Sequence, residues 1–500
     1  MESVRLVVKP AASRLISKVS RLLTEEGTAA YLVGGFVRDI LLGRDTADID
    51  IAIAGDATGV ARRMAAALGG KYIPLDEQNG VYRVVPPDSK WQIDFTRLEG
   101  DIRHDLRRRD FTINAMALAL DNRGGPVTAE GLIDPCQGLE DLRRRELKAV
   151  RDGAFRADAA RLLRAVRIAA ELDFDIESST ESLITRDAGL ITGVAGERTR
   201  EELLRILAIS GAGGRLIYLD NLGLLTALIP EMARARGVAQ PVEHTWDVFE
   251  HSIQTVGATE FLLREGPWEY GIEEVLATVP WSLKLSEHFD ESISSGSTRR
   301  TLLKLAALFH DIAKPQTKST EADGRVRFLG HPTEGATAAS IILERMRFSN
   351  REIKLVELLV RYHLRPTQMS QEGLPTARAI YRFFRDTGEV GTDVLFLSLA
   401  DHLAARGPQL DLTEWQRHTA VTGHVLAERE AAVLSPHLAP LLDGHEIMKA
   451  LGISPGPKVG KLLEAVKEAQ ASGEISDRQG ALNYAKQRLA DANISENEGV

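Results

Sequence analysis

The chain has 500 residues, 44% hydrophobic and 27% charged, a composition typical of soluble globular proteins with several domains. A formal net charge of −9 argues against a general nucleic-acid coat protein, although a local basic track is compatible with it. Cys136 is the single cysteine, which excludes an intrachain disulfide and a thiolate metal cluster. The first residues lack a signal-peptide core, and no segment approaches ~18 uninterrupted apolar residues. We therefore expect a cytoplasmic protein without membrane contact.

The elements expected along the chain change type near residue 150. Residues 1–26 have apolar side chains at helical spacing, and short β-prone runs follow at 31–33, 49–53 and 91–95. Beyond residue 155 long helical patterns dominate, at 156–172, 197–209, 214–225, 300–313, 334–347, 350–363, 376–386, 391–405 and 411–430. The sequence therefore predicts an α+β fold. A small mixed-sheet head (27–150) is followed by an all-α neck and body (151–235), a further helical domain (236–410) and a C-terminal helical region (411–500).

A glycine pair ends the first predicted strand. Gly34 and Gly35 let the backbone turn tightly and approach a phosphate, and the helix that begins there offers free N–H groups. Arg38, one turn into that helix, can clamp the same phosphates with its fork of donors. A Gly-Gly turn alone is also common in plain strand–turn–helix connections, so its meaning depends on the residues after it.

Two aspartates open the next predicted strand. Residues i and i+2 of a strand point the same way, with Cα atoms ~6.6 Å apart, so Asp48 and Asp50 can converge on one hard cation. Aspartates are poor strand residues, and Mg²⁺ held by carboxylates and substrate phosphates explains their presence. Asp94, in the third predicted strand, can complete a two-metal catalytic site. An isolated Asp-x-Asp is often a solvated strand end, but one that comes ten residues after a Gly-Gly-x-x-Arg turn favours catalysis.

These motifs together resemble a known family. The segment GGFVRD at 34–39, with Asp48 and Asp50, is similar to the signature of class II tRNA nucleotidyltransferases, the CCA-adding enzymes, and of bacterial poly(A) polymerases. The segment RRDFTINAMA at 108–117 is similar to the second motif of that family, and residues 134–142 are similar to its third. The resemblance covers nearly the whole chain after residue 27.

The resemblance implies roles for individual residues. The glycine turn and the arginine after it would contact the triphosphate, the paired aspartates would hold magnesium, and the Arg-Arg-Asp segment would help to bind the nucleotide. It also implies CTP and ATP as substrates and the 3′ end of tRNA as acceptor. Carried onto this chain, the nucleotide-binding residues of the head are Gly34, Gly35, Arg38, Arg108, Arg109 and Asn114.

A charged face in the neck is the candidate base-selecting element. Its members recur at three-residue spacing on one predicted helix: Asp158, Arg161, Arg164 and Arg167. Asp158 can accept a hydrogen bond from an exocyclic amino group while Arg161 donates to the adjacent ring acceptor, a pattern shared by cytosine and adenine but not by uracil and guanine. In the resembling family this motif makes that selection, and the following arginines contact the nucleotide. An Asp–Arg pair on a solvated helix is the simpler alternative.

Three further features bear on the product and on the neck. Ala157 stands where the family usually has Glu, and the segment 95–109 is shorter than the flexible segment of many full CCA-adding members. Relatives that add only CC or the last A can be short there, so the resemblance implies addition of C and/or A residues, as CCA or part of it. The block at 197–202 is similar to the family's helix-bracing motif, and we expect it to be structural.

A second ligand set lies in the helical domain. Imidazole and carboxylate are good ligands for a catalytic divalent ion, and their order here, with a lysine after the His-Asp pair, resembles the HD phosphohydrolase superfamily. The resemblance implies one metal of unspecified identity on His251, His310, Asp311 and Asp401. It assigns a second metal or a phosphate to His331 and His363, and phosphate binding to Lys314. A site that has lost its activity is the alternative, although all expected ligands are present.

Two other functions are compatible with the sequence. A poly(A) polymerase would share the head motifs, but the attached hydrolase domain and the lack of a long basic tail argue against it. An HD phosphohydrolase whose head only binds RNA would hydrolyse phosphoesters without incorporating nucleotides. In the region 411–500, expected to bind RNA, Lys458 and Lys461 follow a Gly/Pro turn that can grip phosphate or simply connect two helices.

Overall fold

The computed structural model describes residues 8–25, 27–78, 80–87, 90–120, 131–371, 373–434 and 440–497. These residues form two compact units, the first from Met1–Glu202 with Leu219–Leu228 and the second from Leu203–Tyr218 with Ile229–Val500. None of the helices in the described ranges combines the length and the apolarity that crossing a bilayer requires. The five-part division expected from the sequence stays a prediction.

A six-stranded sheet forms the head. Its strands are β1 Ala30–Val33, β2 Asp48–Ile53, β3 Lys71–Asp76, β4 Val81–Val85, β5 Gln92–Arg97 and β6 Ala117–Ala119. Their order is β3-β4-β5-β2-β1-β6, and β2 and β5 run parallel while the other neighbours are antiparallel. The predicted mixed sheet is confirmed. Ile49 and Ile51 are buried behind the aspartates of β2, as their alternation predicts.

Short helices surround the sheet and continue into the neck. They are α1 Pro10–Glu25, α2 Gly34–Leu42, α3 Ala57–Leu68, α4 Ile102–Leu106, α5 Gly138–Arg144, α6 Ala154–Ala157, α7 Arg161–Leu172, α8 Ser178–Asp187 and α9 Gly196–Ala208. Two-residue strands β7 Glu146–Leu147 and β8 Asp175–Ile176 pair in parallel. The predicted helix at 1–26 is helical over Pro10–Glu25, and residues 1–7 and 26 lie outside the described residues.

The remaining chain is mainly helical, as predicted. It contains α10 Ala212–Asn221, α11 Leu224–Leu228, α12 Pro230–Ala233, α13 Val248–Leu262, α14 Glu273–Ala277, α15 Leu283–Asp290, α16 Arg299–Phe309, α17 Lys314–Thr317, α18 His331–Arg345, α19 Asn350–Tyr362, α20 Arg365–Met369, α21 Ala377–Thr387, α22 Gly391–Arg406, α23 Leu412–Leu434, α24 Gly444–Leu451, α25 Pro457–Ala471 and α26 Arg478–Asn497. Two hairpins that the sequence did not predict join β9 Ser292–Ser294 to β10 Ser297–Thr298 and β11 Lys318–Thr320 to β12 Val326–Phe328. Strands this short carry too few residues to show a period-2 pattern.

One predicted helix is wrong in a way that affects the neck. Residues 156–172 do not form a single helix, because α6 ends at Ala157 and α7 begins at Arg161. Asp158 lies in the break with an extended backbone (φ −156°, ψ 103°), and its carboxylate accepts a hydrogen bond from the Ala160 N–H at 3.2 Å. Aspartate competes in this way with helical hydrogen bonding. Asp158 therefore precedes the helix that carries the three arginines instead of sharing its face.

A glycine divides a second predicted helix. The pattern at 214–225 becomes α10 and α11, separated at Gly223, whose φ is +74°. A left-handed residue of this kind ends a helix at little cost only when it is glycine.

The second unit is built around a largely buried helix. Nearly every side chain of α16 is buried, and α13, α19 and α22 pack against it. A helix that is buried all round lies at the centre of a domain. His310 and Asp311 directly follow α16, so the arrangement places the HD pair at the centre of this unit.

Candidate functional site

The glycine turn of the head lets the backbone at Gly34 lie against Asp50 and Arg109, an approach that a residue with a side chain would not allow. Gly34 has φ +69°, and a Cβ there would lie 2.9 Å from Asp50 Oδ2 and 3.2 Å from a terminal nitrogen of Arg109. A Cβ on Gly35 would instead meet the Arg38 guanidinium at an ordinary 3.5 Å. The turn, the central aspartate and an arginine of the second motif therefore meet at Gly34.

Arg38 lies in a polar network behind the turn. Its side chain is 12% exposed and donates to Asp39 Oδ1 and to Asn114 Oδ1, both at 2.9 Å. Asn114 in turn donates to Asp110 Oδ1 at 3.2 Å. Arg38 and Asn114, both predicted nucleotide contacts, are therefore hydrogen-bonded to each other. Asp110 fixes the orientation of the Asn114 side-chain amide.

The three head carboxylates share one face of the sheet. Asp50 and Asp94 are paired positions of the parallel strands β2 and β5, and Asp48 precedes Asp50 by two residues. Asp48 is exposed, whereas the other two are partly buried. Asp94 accepts two hydrogen bonds from Arg83 of β4, at 2.7 and 2.8 Å. The carboxylates are therefore neighbours, but an arginine that was not predicted from the sequence engages one of them.

The electrostatics of Asp50 fit a cation at this face. Burial is the main cause that raises the pKa of Asp50 to about 6. Arg109 opposes this shift, while the negative charges of Asp94 and Asp48 add to it. A divalent ion with carboxylate ligands would neutralise this excess of negative charge, as is usual for magnesium sites.

The second motif is held by acidic partners of its own. Arg109 donates to Asp105 Oδ2 at 3.2 Å, and Arg108 forms an ion pair with Glu99. Asp110 pairs with Arg164 of α7 at 2.9 Å. Burial alone would raise the pKa of Asp110, but Arg164 and the hydrogen bond from the backbone N–H of residue 111 keep it below its ordinary value.

The predicted Asp158–Arg161 pair is not a direct hydrogen bond. The two side chains approach to 3.9 Å, between Arg161 Nε and Asp158 Oδ2. Arg198 of α9 instead donates to both oxygens of Asp158, at 2.9 and 2.8 Å. Burial opposes ionisation of Asp158, and Arg198 is the chief group that lowers the pKa of the carboxylate below its ordinary value.

The arginines of α7 make different contacts. Arg161 donates to the backbone carbonyls of Arg109 at 3.2 Å and Arg108 at 3.3 Å, and so holds the second motif to the neck. Arg167 is 5% exposed and donates to Glu202 Oε2 at 2.5 Å and to Glu171 Oε2 at 2.7 Å. The guanidinium of Arg167 is therefore enclosed by carboxylates.

Five elements of the second unit bring the HD ligands together. His251 lies on α13 and Asp401 on α22, and His310, His331 and His363 follow or begin α16, α18 and α19. Two groups result, each with its ligand atoms within 4.8 Å of one another: His251, His310 and Asp401 in one, and Asp311, His331 and His363 in the other. All four histidines are buried.

Backbone carbonyls fix the orientation of three of these imidazoles. The Nδ1 atoms of His310, His331 and His363 lie 2.7–2.8 Å from carbonyl oxygens three residues earlier in the chain. A carbonyl only accepts, so each Nδ1 carries the proton and each Nε2 faces the cluster. The Nε2 atoms of His251 and His310 are 3.2 Å apart, and those of His331 and His363 are 3.4 Å apart. Facing nitrogens of this kind fit a shared cation.

Asp311 lies between the two groups. Its Oδ2 is 3.1 Å from His310 Nε2, and its Oδ1 is 3.3 Å from His331 Nε2. Burial opposes the charge of His310, but Asp311 and Asp401 raise its pKa to about 10. Lys314 Nζ, also buried, is 2.6 Å from Asp311 Oδ2. One carboxylate thus faces both candidate cation positions, beside a lysine ammonium.

Three stretches of the chain match known families. Residues 30–148 match the "Poly A polymerase head domain", residues 173–236 the "Probable RNA and SrmB- binding site of polymerase A", and residues 248–406 the "HD domain". The A-adding tRNA nucleotidyltransferase of Deinococcus radiodurans is 35% identical over 92% of this chain and 96% of its own length. The CC-adding tRNA nucleotidyltransferase of Thermus thermophilus is 35% identical over 90% of this chain and 92% of its own length.

The chain belongs to the tRNA nucleotidyltransferase family. It is a nucleotidyltransferase with an attached HD domain. The solved structure of the Thermotoga maritima CCA-adding enzyme in complex with tRNA has a TM-score of 0.60 at 21% identity, covering 98% of this chain and 100% of that one. A CCA-adding enzyme in complex with CTP has a TM-score of 0.64 at 22% identity, covering 98% of this chain and 99% of that one. These likenesses show the shared fold, and both domain families use divalent metals.

Two arginines that touch the candidate site of this nucleotidyltransferase were not predicted from its sequence. Arg83 pairs with Asp94, and Arg198 pairs with Asp158. Arg198 lies in the block expected to be structural, and its bidentate bond shows which side chain it braces. A signal for Arg83 existed, because it shares one face of a short β-prone run with Val81 and Val85.

Proposed function

We propose that the head transfers CMP and/or AMP from CTP or ATP to the 3′ end of tRNA, releasing pyrophosphate. The observation that carries this proposal is the convergence at Gly34, where only glycine lets a phosphate-binding turn lie against Asp50. Relatives of similar length that are named for tRNA nucleotidyl transfer support it. The cytoplasm is the proposed location, because tRNA is the proposed acceptor.

The residues of the head divide the work of binding and catalysis. Asp48 and Asp50 hold Mg²⁺, and Asp94 on the neighbouring strand completes the acidic face. Magnesium held there would neutralise charge on the phosphates and would lower the pKa of the attacking hydroxyl. The backbone of Gly34 and Gly35, together with Arg109, orients the triphosphate, and Arg38 and Asn114 support the turn from behind. Arg108 is the more exposed contact of the second motif.

Base selection rests on Asp158 in the break before α7. Its carboxylate accepts a hydrogen bond from the exocyclic amino group of cytosine or adenine, and the bidentate bond from Arg198 sets its direction. Arg161 holds α7 to the second motif, and Arg164, which is exposed and pairs with Asp110, contacts the nucleotide. We assign Arg167 to bracing α7, since two carboxylates already enclose it.

The product is part of the CCA triplet, either CC or the terminal A. Among the relatives found by sequence, those matched over about nine-tenths of this chain are named A-adding or CC-adding, whereas those named CCA-adding match over 43–57% of it. The short segment 95–109 and Ala157 agree with this assignment.

Product length on defined tRNAs tests the proposal. One tRNA ends before the triplet and another ends in CC, and each is incubated with CTP alone, ATP alone or both. We expect growth by two residues with CTP on the first tRNA, or by one residue with ATP on the second, but not both. Synthesis of full CCA contradicts partial addition, and long A tails on unrelated RNA identify a poly(A) polymerase.

We further propose that the HD domain is a metal-dependent phosphohydrolase. We assign one divalent ion to His251, His310 and Asp401, together with Asp311, whose Oδ2 lies 3.1 Å from His310 Nε2, and a second ion or a phosphate to Asp311, His331 and His363. A metal in such a site lowers the pKa of bound water and supplies a nucleophile for phosphoester hydrolysis. We assign phosphate binding to Lys314, whose Nζ lies beside this site, 2.6 Å from Asp311 Oδ2.

Hydrolysis and metal content test this second activity together. The protein is assayed with p-nitrophenyl phosphate and with 2′,3′-cyclic nucleotides while its bound metal is measured by mass spectrometry. His310→Ala should lose both hydrolysis and metal, and tRNA extension should continue. A wild-type protein that binds metal but hydrolyses neither substrate contradicts the assignment as a general phosphohydrolase.

The C-terminal region 411–500 is proposed to contact tRNA. Lys458 and Lys461 lie in the first turns of α25, after the Gly/Pro turn, where lysines and helix N–H groups favour phosphate. Replacing both lysines with glutamine should weaken tRNA binding, as measured by filter binding, without changing the KM for CTP or ATP.

A further inference from the structure

A cavity of about 580 Å³ lies in the second unit, outside both proposed reaction centres. It is lined by residues of α15, the first turn of α22, α23 and the segment before α15. Its volume falls in the ~300–1,000 Å³ range of small-molecule sites. Thr392 lies on its wall, and Asp401 follows nine residues later on α22, ~13 Å further along the helix axis. Neither the transfer reaction nor the metal clusters use this space.

Arg429 gives the cavity an anion-binding wall. Its side chain is partly buried, donates to Thr392 Oγ1 at 2.8 Å and lies 4.4 Å from the ring centroid of Phe384. Across the described residues, no carboxylate lies within ion-pair distance of it. Burial is the main influence that lowers the pKa of Arg429, and the charge of Asp393 only partly offsets it. A guanidinium in this position is complementary to a carboxylate or phosphate.

Trp281 gives the cavity a flat apolar wall of fixed orientation. Its ring stacks on Phe289 with a centroid distance of 6.0 Å and an interplanar angle of 8°, and it meets Phe396 edge-on at 5.9 Å. The aliphatic residues Leu285 and Leu426 also line the cavity. Arg264 also approaches this ring, with its guanidinium carbon 5.5 Å from the centroid. A ring held still by such packing presents the part that lines the cavity to a planar ligand.

The other charged groups around the cavity are already engaged. His288 Nε2 lies 3.0 Å from Asp393 Oδ2, which also accepts from Arg299 at 3.2 Å. On the exposed rim, Lys284 Nζ is 3.2 Å from Glu430 Oε1. Arg429 is therefore the cationic group of the lining that is left to receive an anion.

We propose that this cavity binds a small organic anion with a flat ring, of the nucleoside monophosphate class. The ring lies against Trp281, and the phosphate accepts hydrogen bonds from Arg429. The site is separate from the head, so its occupancy does not require a nucleotide to be transferred.

Calorimetric titration of AMP into the full chain tests the site. Arg429→Gln removes the guanidinium, and Ala427→Phe fills the cavity from an exposed lining position without altering charge. We expect AMP binding to weaken by about tenfold or more in both variants, as for the loss of a charge-assisted hydrogen bond or of the space itself. The matched control is Arg417→Gln, an exposed arginine of α23 outside the cavity, which should bind AMP like the wild type.

Two further ligands test the chemistry. Inorganic phosphate lacks the ring and adenosine lacks the anion, so each should bind at least about tenfold more weakly than AMP. No AMP binding by the wild type, or equal affinity in the wild type and both cavity variants, overturns the proposal. Phosphate binding as tight as that of AMP overturns the stacking role of Trp281.

Discussion

Gly34 links backbone conformation to chemistry at the scale of a single residue. Its φ is +69°, and a Cβ would press against Asp50 Oδ2 at 2.9 Å. We expect Gly34→Ala to lower the free energy of unfolding by about 1–2 kcal/mol, the usual cost of a left-handed alanine. Transfer should fall by at least about 100-fold, because Asp50 is displaced. Urea denaturation and incorporation of labelled nucleotide measure the two effects.

Gly27 provides the matched control for this substitution. It has the same φ of +69°, but a Cβ there would meet nothing within 4 Å. Gly27→Ala should show a similar loss of stability with full transfer activity. If both variants kept full activity, transfer would not depend on the contact between the turn and Asp50.

Arg198 acts on the proposed base-selecting residue. Without its two hydrogen bonds to Asp158, the carboxylate turns more freely, so Arg198→Met should raise the KM for CTP or ATP by about tenfold. Incorporation of UTP and GTP relative to the correct nucleotide should also increase. The control is Arg186→Met, which removes an arginine paired with Asp152 and Asp187 elsewhere in the same unit. Unchanged selectivity in Arg198→Met would mean that Asp158 needs no such support.

At the scale of elements, the arginines of α7 have two proposed roles: Arg164 contacts the nucleotide, and Arg167 braces the helix. Arg167→Met leaves Glu171 and Glu202 without their buried cation, so the free energy of unfolding should fall by about 3 kcal/mol. The exposed pair of Arg144 and Glu140 on α5 supplies a control, and Arg144→Met should change stability by less than about 0.5 kcal/mol. Urea denaturation measures both. If Arg167→Met were as stable as the wild type but had a raised KM for the nucleotide, Arg167 would contact the nucleotide, as its sequence spacing predicts.

Local patterns predicted most of the elements that carry the site. Short β-prone runs located β1, β2 and β5, and the i, i+2 spacing placed Asp48 and Asp50 on one face. The strand order, which sets Asp94 beside Asp50, depends on tertiary pairing that no local pattern encodes. β3 and β4 were missed, partly because Pro74 interrupts the first of them and most of its residues are exposed.

The partners of the charged residues could not be predicted for the same reason. Asp158 and Arg198 are forty positions apart, and a helical period does not report on such a contact. The break at Asp158 was foreseeable in principle, since aspartate favours caps and turns, but Ala157, Ala159 and Ala160 favour continuing the helix. The candidate HD ligands, which the structure brings together, were predicted from a family order and not from a local period.

At the scale of the whole molecule, metal binding should stabilise the second unit. The Nε2 atoms of the clustered histidines face each other and a shared carboxylate, so a bound cation would give these groups a common partner. Mn²⁺ at about 100 times its Kd should therefore raise the free energy of unfolding of the wild type by about 2.7 kcal/mol. The gain should disappear in His310→Ala but persist in His445→Ala, a histidine exposed on α24. Calorimetric melting with and without chelator measures it, and a gain retained in His310→Ala would place the metal elsewhere.

Incorporation of label into a tRNA trimmed at its 3′ end tests the central claim most directly. Labelled CTP and ATP are supplied separately to the wild type, to Asp50→Asn and to Asp45→Asn, whose aspartate is exposed and pairs with Lys9. The wild type and Asp45→Asn should incorporate label at equal rates. Asp50→Asn should be slower by about 1,000-fold, equivalent to about 4 kcal/mol of transition-state stabilisation. Failure of both labels to enter tRNA, or full activity of Asp50→Asn, would contradict nucleotidyl transfer by this head.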